Sequence, residues 1–166
     1  MKKEIGILTF HKAVSYGAAY QAYALQTYLD LIGYNAKIID YIPPRFTTFN
    51  SIFCMPSSGS TAKKIIKFIP YVLSKATSVY MLLRFNKKYL VLTDSYHTEQ
   101  ELKNSKLTFD TFITGSDQVW NLNFDKFEYI RPYLLSFTKH KKISYAASIG
   151  MDSFEQISTE TIQHFV

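Results

Sequence analysis

The sequence is poor in cysteine and glycine, and each scarcity excludes a class of function; acidic residues are scarce as well. Cys54 is the single cysteine among 166 residues, so an internal disulfide and a thiolate metal centre are both excluded and a free thiol in a reducing compartment is expected. The six glycines form neither GxGxxG nor a P-loop pattern, which excludes the classical NAD and ATP sites. With 47% hydrophobic and only 19% charged residues, the chain is expected to form a packed globular domain.

The net charge of +6 is concentrated in one part of the chain. Residues 41–93 contain eight basic and no acidic residues. This basic segment, Arg45 to Lys88, either contacts phosphate groups or the inner face of an anionic membrane, or is a solvated helix face that lacks acidic residues by chance. Nucleic-acid binding is not expected, because helix-turn-helix, RNP and zinc patterns are missing. No apolar run approaches the about 18 residues of a membrane span, and we expect a cytoplasmic protein.

The N-terminal part alternates strand, helix and strand patterns. Apolar runs at Ile5–Phe10 and Ala36–Tyr41 predict two buried parallel strands. Between them, Ser15 is a candidate N-cap and Gly33 a candidate C′ residue of a helix. We therefore predict an α/β fold, a Rossmann-like parallel sheet with flanking helices. The apolar stripe predicted for the helix comprises Ala18, Ala22, Leu25, Leu29 and Ile32.

Beyond this unit the patterns are weaker. Residues 42–61 are polar and interrupted by proline, which predicts a long loop, and the segment up to residue 92 predicts two helices broken at Pro70, together a basic helical excursion. Ser158 can cap a last helix that stops without a C-cap at Val166, so we expect a chain truncated after its first domain. Further along the chain, a short helix is predicted at Glu99–Asn104 and strands at Phe109–Thr114 and Lys141–Ser148.

The first candidate site is the loop and helix start from His11 to Gln21. Backbone N–H groups and the positive end of the dipole at a helix N-terminus can hold an anion. Ser15, Tyr16 and Gly17 either contact a ligand there or simply cap the helix. His11 is either a proton carrier or a structural residue at the strand end.

The second candidate site is the loop Thr114–Asn121, "TGSDQVWN", directly after a predicted strand. Amide donors next to an indole face are the combination that binds sugars. Asp117 can act as a base toward an attacking hydroxyl, or it forms a turn. Trp120 stacks on a sugar or anchors the core. The substrate-contacting candidates of this loop are Gly115, Ser116, Gln118, Trp120 and Asn121.

The third candidate site is "YAASIG" from Tyr145 to Gly150, where small residues follow a predicted strand. They leave room for a ligand or a neighbouring domain, or they only permit close packing.

Taken in order, these three segments resemble the polysaccharide pyruvyl transferase family. "SYGAAYQAYALQTYL" (Ser15–Leu29) resembles its first-helix signature, "FITGSDQVWN" (Phe112–Asn121) its central motif and "ISYAASIG" (Ile143–Gly150) the strand that follows. The first segment departs from the usual pattern by having Ser15 in place of Asn and Tyr20 in place of Leu.

The resemblance implies a two-domain fold similar to B-type glycosyltransferases, of which this chain, residues 1–166, matches the N-terminal domain. It implies transfer of a pyruvyl group from phosphoenolpyruvate to two hydroxyls of a sugar or lipid-linked glycan, with no metal and no cofactor besides that donor. The residues that bind phosphoenolpyruvate are expected in the missing C-terminal domain. A non-catalytic domain that binds a glycan, a partner or a membrane, and a nucleotide-sugar glycosyltransferase, stay open as alternatives. The residues carried over from the family as acceptor-side contacts are Tyr16, Gly17, Gly115, Ser116, Asp117, Gln118 and Trp120.

Overall fold

The chain folds around a parallel β-sheet with helices on its faces, as the sequence predicts. The computed structural model describes residues 2–53, 61–123, 126–151 and 163, without the side chains of 61–67. Within these residues all strand pairs are parallel and the spatial order is β3-β2-β1-β4-β5. The five strands are β1 (Glu4–Leu8), β2 (Asn35–Tyr41), β3 (Leu92–Tyr96), β4 (Thr111–Gly115) and β5 (Lys141–Tyr145).

The first unit, β1 followed by helix α1 (Tyr16–Leu31) and β2, has the predicted boundaries at the helix ends. Ser15 is extended and its Oγ accepts the N–H of Ala18, and Gly33 has a φ of +97° just after the helix, a conformation that glycine adopts without strain. Two details were wrong. Strand β1 ends at Leu8 instead of Phe10, and Ile32, the last member of the predicted stripe, is exposed.

The basic segment is more helical than predicted. The expected loop after β2 contains a 3-10 turn (Pro44–Phe46) and helix α2 (Thr48–Phe53). Helix α3 (Thr61–Tyr89) is continuous and has Pro70 inside it, so the prediction of two helices was wrong. Apolar residues continue at helical spacing on both sides of the proline, and α3 packs against α1 and α2, which favours one helix despite the lost hydrogen bond.

Strand β3 was missed because its sequence, Leu-Thr-Asp-Ser-Tyr, is mostly polar and lacks an apolar pattern. It lies at an edge of the sheet, where side chains are less buried and need not be apolar. The predicted helix α4 (Glu99–Asn104) is confirmed, and the predicted strand at Phe109–Thr114 is the fourth strand of the sheet instead of the third. A short helix α5 (Phe127–Ile130) runs into a 3-10 turn (Arg131–Leu134).

The two faces of the sheet carry separate cores. On one face α1 packs its alanines and leucines against Ile5, Ile7 and Ile38. On the other face aromatic side chains predominate, with Phe10 and Phe112 buried next to Tyr133. Among the described residues, no helix combines the length and apolar character needed to cross a membrane. Cys54, Ser158 and the predicted last helix lie outside the described residues, apart from Gln163.

Candidate functional site

The candidate site lies at the carboxyl ends of β1 and β4. The chain proceeds from β1 outward to β2 and β3, then returns to the other side of β1 with β4 and β5. Ligands of open α/β sheets bind at such a switch point, outside the carboxyl ends of the strands. The loop after β1 leads into α1, and the loop after β4 begins with Ser116, so the first and second predicted sites meet here.

Three side chains form a hydrogen-bonded bridge across the switch point. The Ser116 hydroxyl donates to Gln21 Oε1 at 3.0 Å, and Gln21 Nε2 donates to Thr9 Oγ1 at 2.7 Å. The bridge therefore ties the loop after β4 to α1 and to the end of β1. Gln21 is the last residue of the first predicted segment but was not singled out as a contact, and Thr9 was not predicted at all. A polar residue one turn into an otherwise apolar-faced helix was the signal for Gln21.

The start of α1 presents an exposed surface next to this bridge. Tyr16 is 70% exposed, and Gly17 has only Ser15 Oγ, at 3.7 Å, near the position a Cβ would take. The capping role of Ser15 is confirmed, whereas ligand contact by these residues stays a prediction. They adjoin a cavity of about 280 Å³ between α1 and α3, lined by Val14, Ser15, Tyr16, Ala19, Tyr20, Lys75, Ser78, Met81, Leu82 and Phe85.

The second and third predicted sites form one paired structure. Ser148 N donates to the Asp117 carbonyl at 2.9 Å, and Trp120 N donates to the Ser148 carbonyl at 3.2 Å. Gly115 has a φ of +104°, and a Cβ on it would lie 2.2 Å from the Tyr145 carbonyl oxygen. Only glycine allows the two backbones to approach this closely. The peptide bond between Gly115 and Ser116 is cis.

The two amide side chains of this loop hold it to the segment after β5. Asn121 Nδ2 donates to Gln118 Oε1 at 3.0 Å and to the Gly150 carbonyl at 3.2 Å. A Cβ on Gly150 would lie 2.6 Å from Gln118. Asn121 is buried and Gln118 is exposed, so of the two amides Gln118 is the one open to a ligand.

Asp117 and Trp120 make contacts within the protein as well. The Asp117 carboxylate accepts the N–H of Gln118 at 2.7 Å, a local bond that fixes its direction, and the side chain is half-buried. The Trp120 indole N–H donates to the Tyr133 carbonyl at 3.0 Å, and the ring packs against the aromatic core. These contacts favour the core-anchor interpretation of Trp120 over sugar stacking.

His11 lies in a buried polar cluster. Its Nε2 is 2.7 Å from Asp40 Oδ1 and its Nδ1 is 3.2 Å from the Thr9 carbonyl. Lys12 Nζ is 3.1 Å from Asp40 Oδ1, and Ser95 Oγ donates to Asp40 Oδ2. We call His11, Lys12, Asp40 and Ser95 the ionic cluster. Full burial of His11 favours its structural interpretation.

Two opposing effects set the pKa of Asp40. Burial raises the pKa, but hydrogen bonds from His11 and Ser95, together with electrostatic attraction by His11 and Lys12, lower it to about 2. The carboxylate is therefore charged at neutral pH and held by its partners. Asp40 was not predicted as a site residue, although an acidic residue within the apolar run "AKIIDY" is a visible signal.

Asn86 connects α3 to the ionic cluster, since its Nδ2 donates to the His11 carbonyl at 2.9 Å. The cluster therefore ties the loop after β1 to β2, β3 and α3. Within the described part of the chain, no group of three or more His, Cys, Asp or Glu side chains is placed to hold a metal ion.

These features define the class: an α/β protein with hydrogen-bonded polar side chains at the switch point of a parallel sheet. The family model for polysaccharide pyruvyl transferase matches residues 16–165, so the chain belongs to that family. No curated protein and no solved structure matches the chain significantly.

Proposed function

We propose that this chain forms the acceptor side of an enzyme that transfers the pyruvyl group of phosphoenolpyruvate to two hydroxyls of a sugar, in the synthesis of a capsule, exopolysaccharide or cell-wall glycan. Membership of the family supports the transferase class. The single observation that carries the acceptor assignment is the bridge from Ser116 through Gln21 to Thr9 at the switch point. Hydroxyl and amide groups there match the hydrogen-bonding needs of a sugar.

The reaction assigns specific tasks to the enzyme. The methylene carbon of phosphoenolpyruvate takes up a proton, one sugar hydroxyl attacks C2 and loses its proton, and inorganic phosphate leaves. The second hydroxyl then adds to C2, loses its proton and closes the ketal. A base beside the attacking hydroxyl and cations around the phosphate and carboxylate would lower the barrier.

Asp117 is the proposed base. Its carboxylate follows β4 directly and is fixed by the Gln118 N–H, next to Ser116 of the bridge. The exposed amide of Gln118 and the open backbone at Gly17 are the proposed contacts with the rest of the acceptor.

The phosphoenolpyruvate-binding cations are proposed to lie in a second domain outside this chain. Reading the gene in frame beyond codon 166 tests this part, because one further domain of about 150 to 200 residues would complete the two-domain enzyme. A stop codon without a partner gene nearby would instead favour a non-catalytic binding domain.

Phosphate release tests the activity itself. The complete gene product is incubated with phosphoenolpyruvate and a panel of glycan acceptors, and inorganic phosphate and the ketal are measured. Acceptor-dependent phosphate release is expected. Turnover of a nucleotide sugar without phosphate release from phosphoenolpyruvate would assign the protein to the glycosyltransferases and overturn the proposal.

A further inference from the structure

Helix α3 has two faces with different partners. Its inner face packs on α1, with Val79 and Asn86 buried and the Phe85 ring 5.6 Å from Tyr20 and 6.0 Å from Tyr23. The positions on the opposite side, three or four residues apart, are exposed and take no part in this packing. Because the inner face is packed on α1, the helix is held in one orientation and its outer face is directed toward solvent.

The outer face combines apolar and basic side chains along one line. Ile69, Leu73 and Tyr80 are 68%, 63% and 63% exposed. They are followed on the same face by the exposed Arg84, Lys87 and Lys88. At 1.5 Å per residue this outer stripe is about 28 Å long.

We propose that the outer stripe of α3 lies on an anionic lipid bilayer. Exposed aliphatic and aromatic side chains in line with Lys and Arg are the pattern of a helix that rests in the interface of a membrane. A bilayer surface presents phosphate groups and acyl chains together. The phosphate groups attract the basic side chains of the stripe, and the acyl chains contact its apolar side chains. The proposal is independent of the catalytic one, since the outer stripe shares no residue with the candidate site.

Charge complementarity is what favours a bilayer over a protein partner. The segment from residue 41 to 93 contains no acidic residue, so no carboxylate of α3 opposes a negatively charged surface. Protein interfaces, in contrast, are depleted in lysine at their centre. The Lys88 ammonium lies 4.9 Å from the centroid of the Tyr89 ring, which keeps a basic and an aromatic group together at the end of the stripe.

Vesicle sedimentation of the full chain tests the proposal. Vesicles of phosphatidylcholine alone are compared with vesicles that also contain phosphatidylglycerol, at low and high salt. Binding is expected only to the anionic vesicles, with release at high salt. Retention of the chain in the supernatant with phosphatidylglycerol vesicles would overturn the proposal.

Two matched double substitutions of lysine test whether the outer stripe of α3 is the surface that binds the vesicles. The double substitution Lys87→Gln and Lys88→Gln should weaken binding by about 30-fold, from about fivefold per basic residue. The same change at Lys141 and Lys142, exposed on β5, should have little effect. Equal weakening by both pairs would show attraction by net charge alone and overturn the assignment to α3.

Two matched substitutions of leucine test whether the apolar residues of the outer stripe contribute to vesicle binding. Leu73→Ser should weaken binding by about tenfold, whereas Leu31→Ser, at a leucine 79% exposed on α1, should leave it unchanged. Unchanged binding of the Leu73 variant would contradict contact of the stripe with acyl chains. All substituted residues are exposed, so unaltered circular dichroism is expected and serves as the folding control.

Discussion

The two halves of the sheet's carboxyl edge are held together by different kinds of interaction. On the β1–β2 side, the ionic cluster buries a carboxylate against His11 and Lys12. On the β4–β5 side, the loops after the strands are joined by backbone hydrogen bonds and neutral amides, and several of these groups reach solvent. The first half is therefore suited to fixing the loop after β1, and the second to contacting a ligand.

The largest loss of stability is expected from breaking the ionic cluster. Asp40→Asn removes the charge that His11 and Lys12 face in a buried site, and should destabilise the fold by about 4 kcal/mol. Urea unfolding measures the change, with Asp94→Asn as control because Asp94 is exposed on β3. A difference below about 0.5 kcal/mol between the two variants would refute the role given to the cluster.

The β4–β5 side should instead be sensitive to backbone distance. Gly115→Ala places a Cβ against the Tyr145 carbonyl oxygen at a φ that disfavours alanine, so a loss of roughly 3 kcal/mol is expected. The same urea experiment measures it. Wild-type stability of this variant would mean that the ends of β4 and β5 can move apart at little cost.

Acid should weaken the β1–β2 side selectively. The pKa of Asp40 is lowered from 3.8 to about 2 in the folded chain. Its contribution to the free energy of unfolding is therefore complete above pH 4 and is lost as the pH falls toward 2. This amounts to roughly 2 kcal/mol. Partial burial raises the pKa of Glu99, but hydrogen bonds from Lys103 and Ser136 and the charge of Arg131 outweigh it and hold the pKa below its usual value. Acid therefore also removes the stability that Glu99 contributes.

Comparison with Asp40→Asn separates the two carboxylates. Stability is measured from pH 6 to pH 2 in both proteins, and the difference between the curves isolates Asp40. Parallel curves would show that the carboxylate is not held by the cluster.

A smaller, opposite effect is expected at the start of α1. Gly17 lies within the helix with open space around it, so Gly17→Ala should stabilise the fold by about 0.5 kcal/mol. If the open space admits the acceptor, KM for the acceptor rises at the same time. A stabilised variant with unchanged KM would remove Gly17 from the site.

The parts of the fold with apolar periodicity could be predicted, and the parts held by polar contacts could not. The β1–α1–β2 unit followed from buried apolar runs and from Ser15 and Gly33. Strand β3 is polar and lies at the sheet edge, and the continuity of α3 through Pro70 depends on packing against other helices. Strand β3 therefore has no apolar signal in its local sequence, and at α3 the proline indicated a break although the helical spacing continues beyond it.

The candidate site was predictable in part for the same reason. Loops that follow strands of a parallel sheet meet at one edge, and the loops that contain Ser15 and Ser116 both follow predicted strands. The partners Gln21, Asp40 and Ser95 are joined over distances of 29 to 95 residues along the chain. Such pairings depend on the register of the strands, which single residues do not reveal.

Turnover of Asp117→Asn in the complete enzyme tests the central claim most directly. Acceptor-dependent phosphate release from phosphoenolpyruvate is measured beside Asp94→Asn, with urea unfolding of both variants as the folding control. If Asp117 is the base, kcat falls by about 100-fold or more in Asp117→Asn, with stability within about 0.5 kcal/mol of wild type, and Asp94→Asn is unaffected. Normal kcat in a folded Asp117→Asn enzyme would show that Asp117 is not the base.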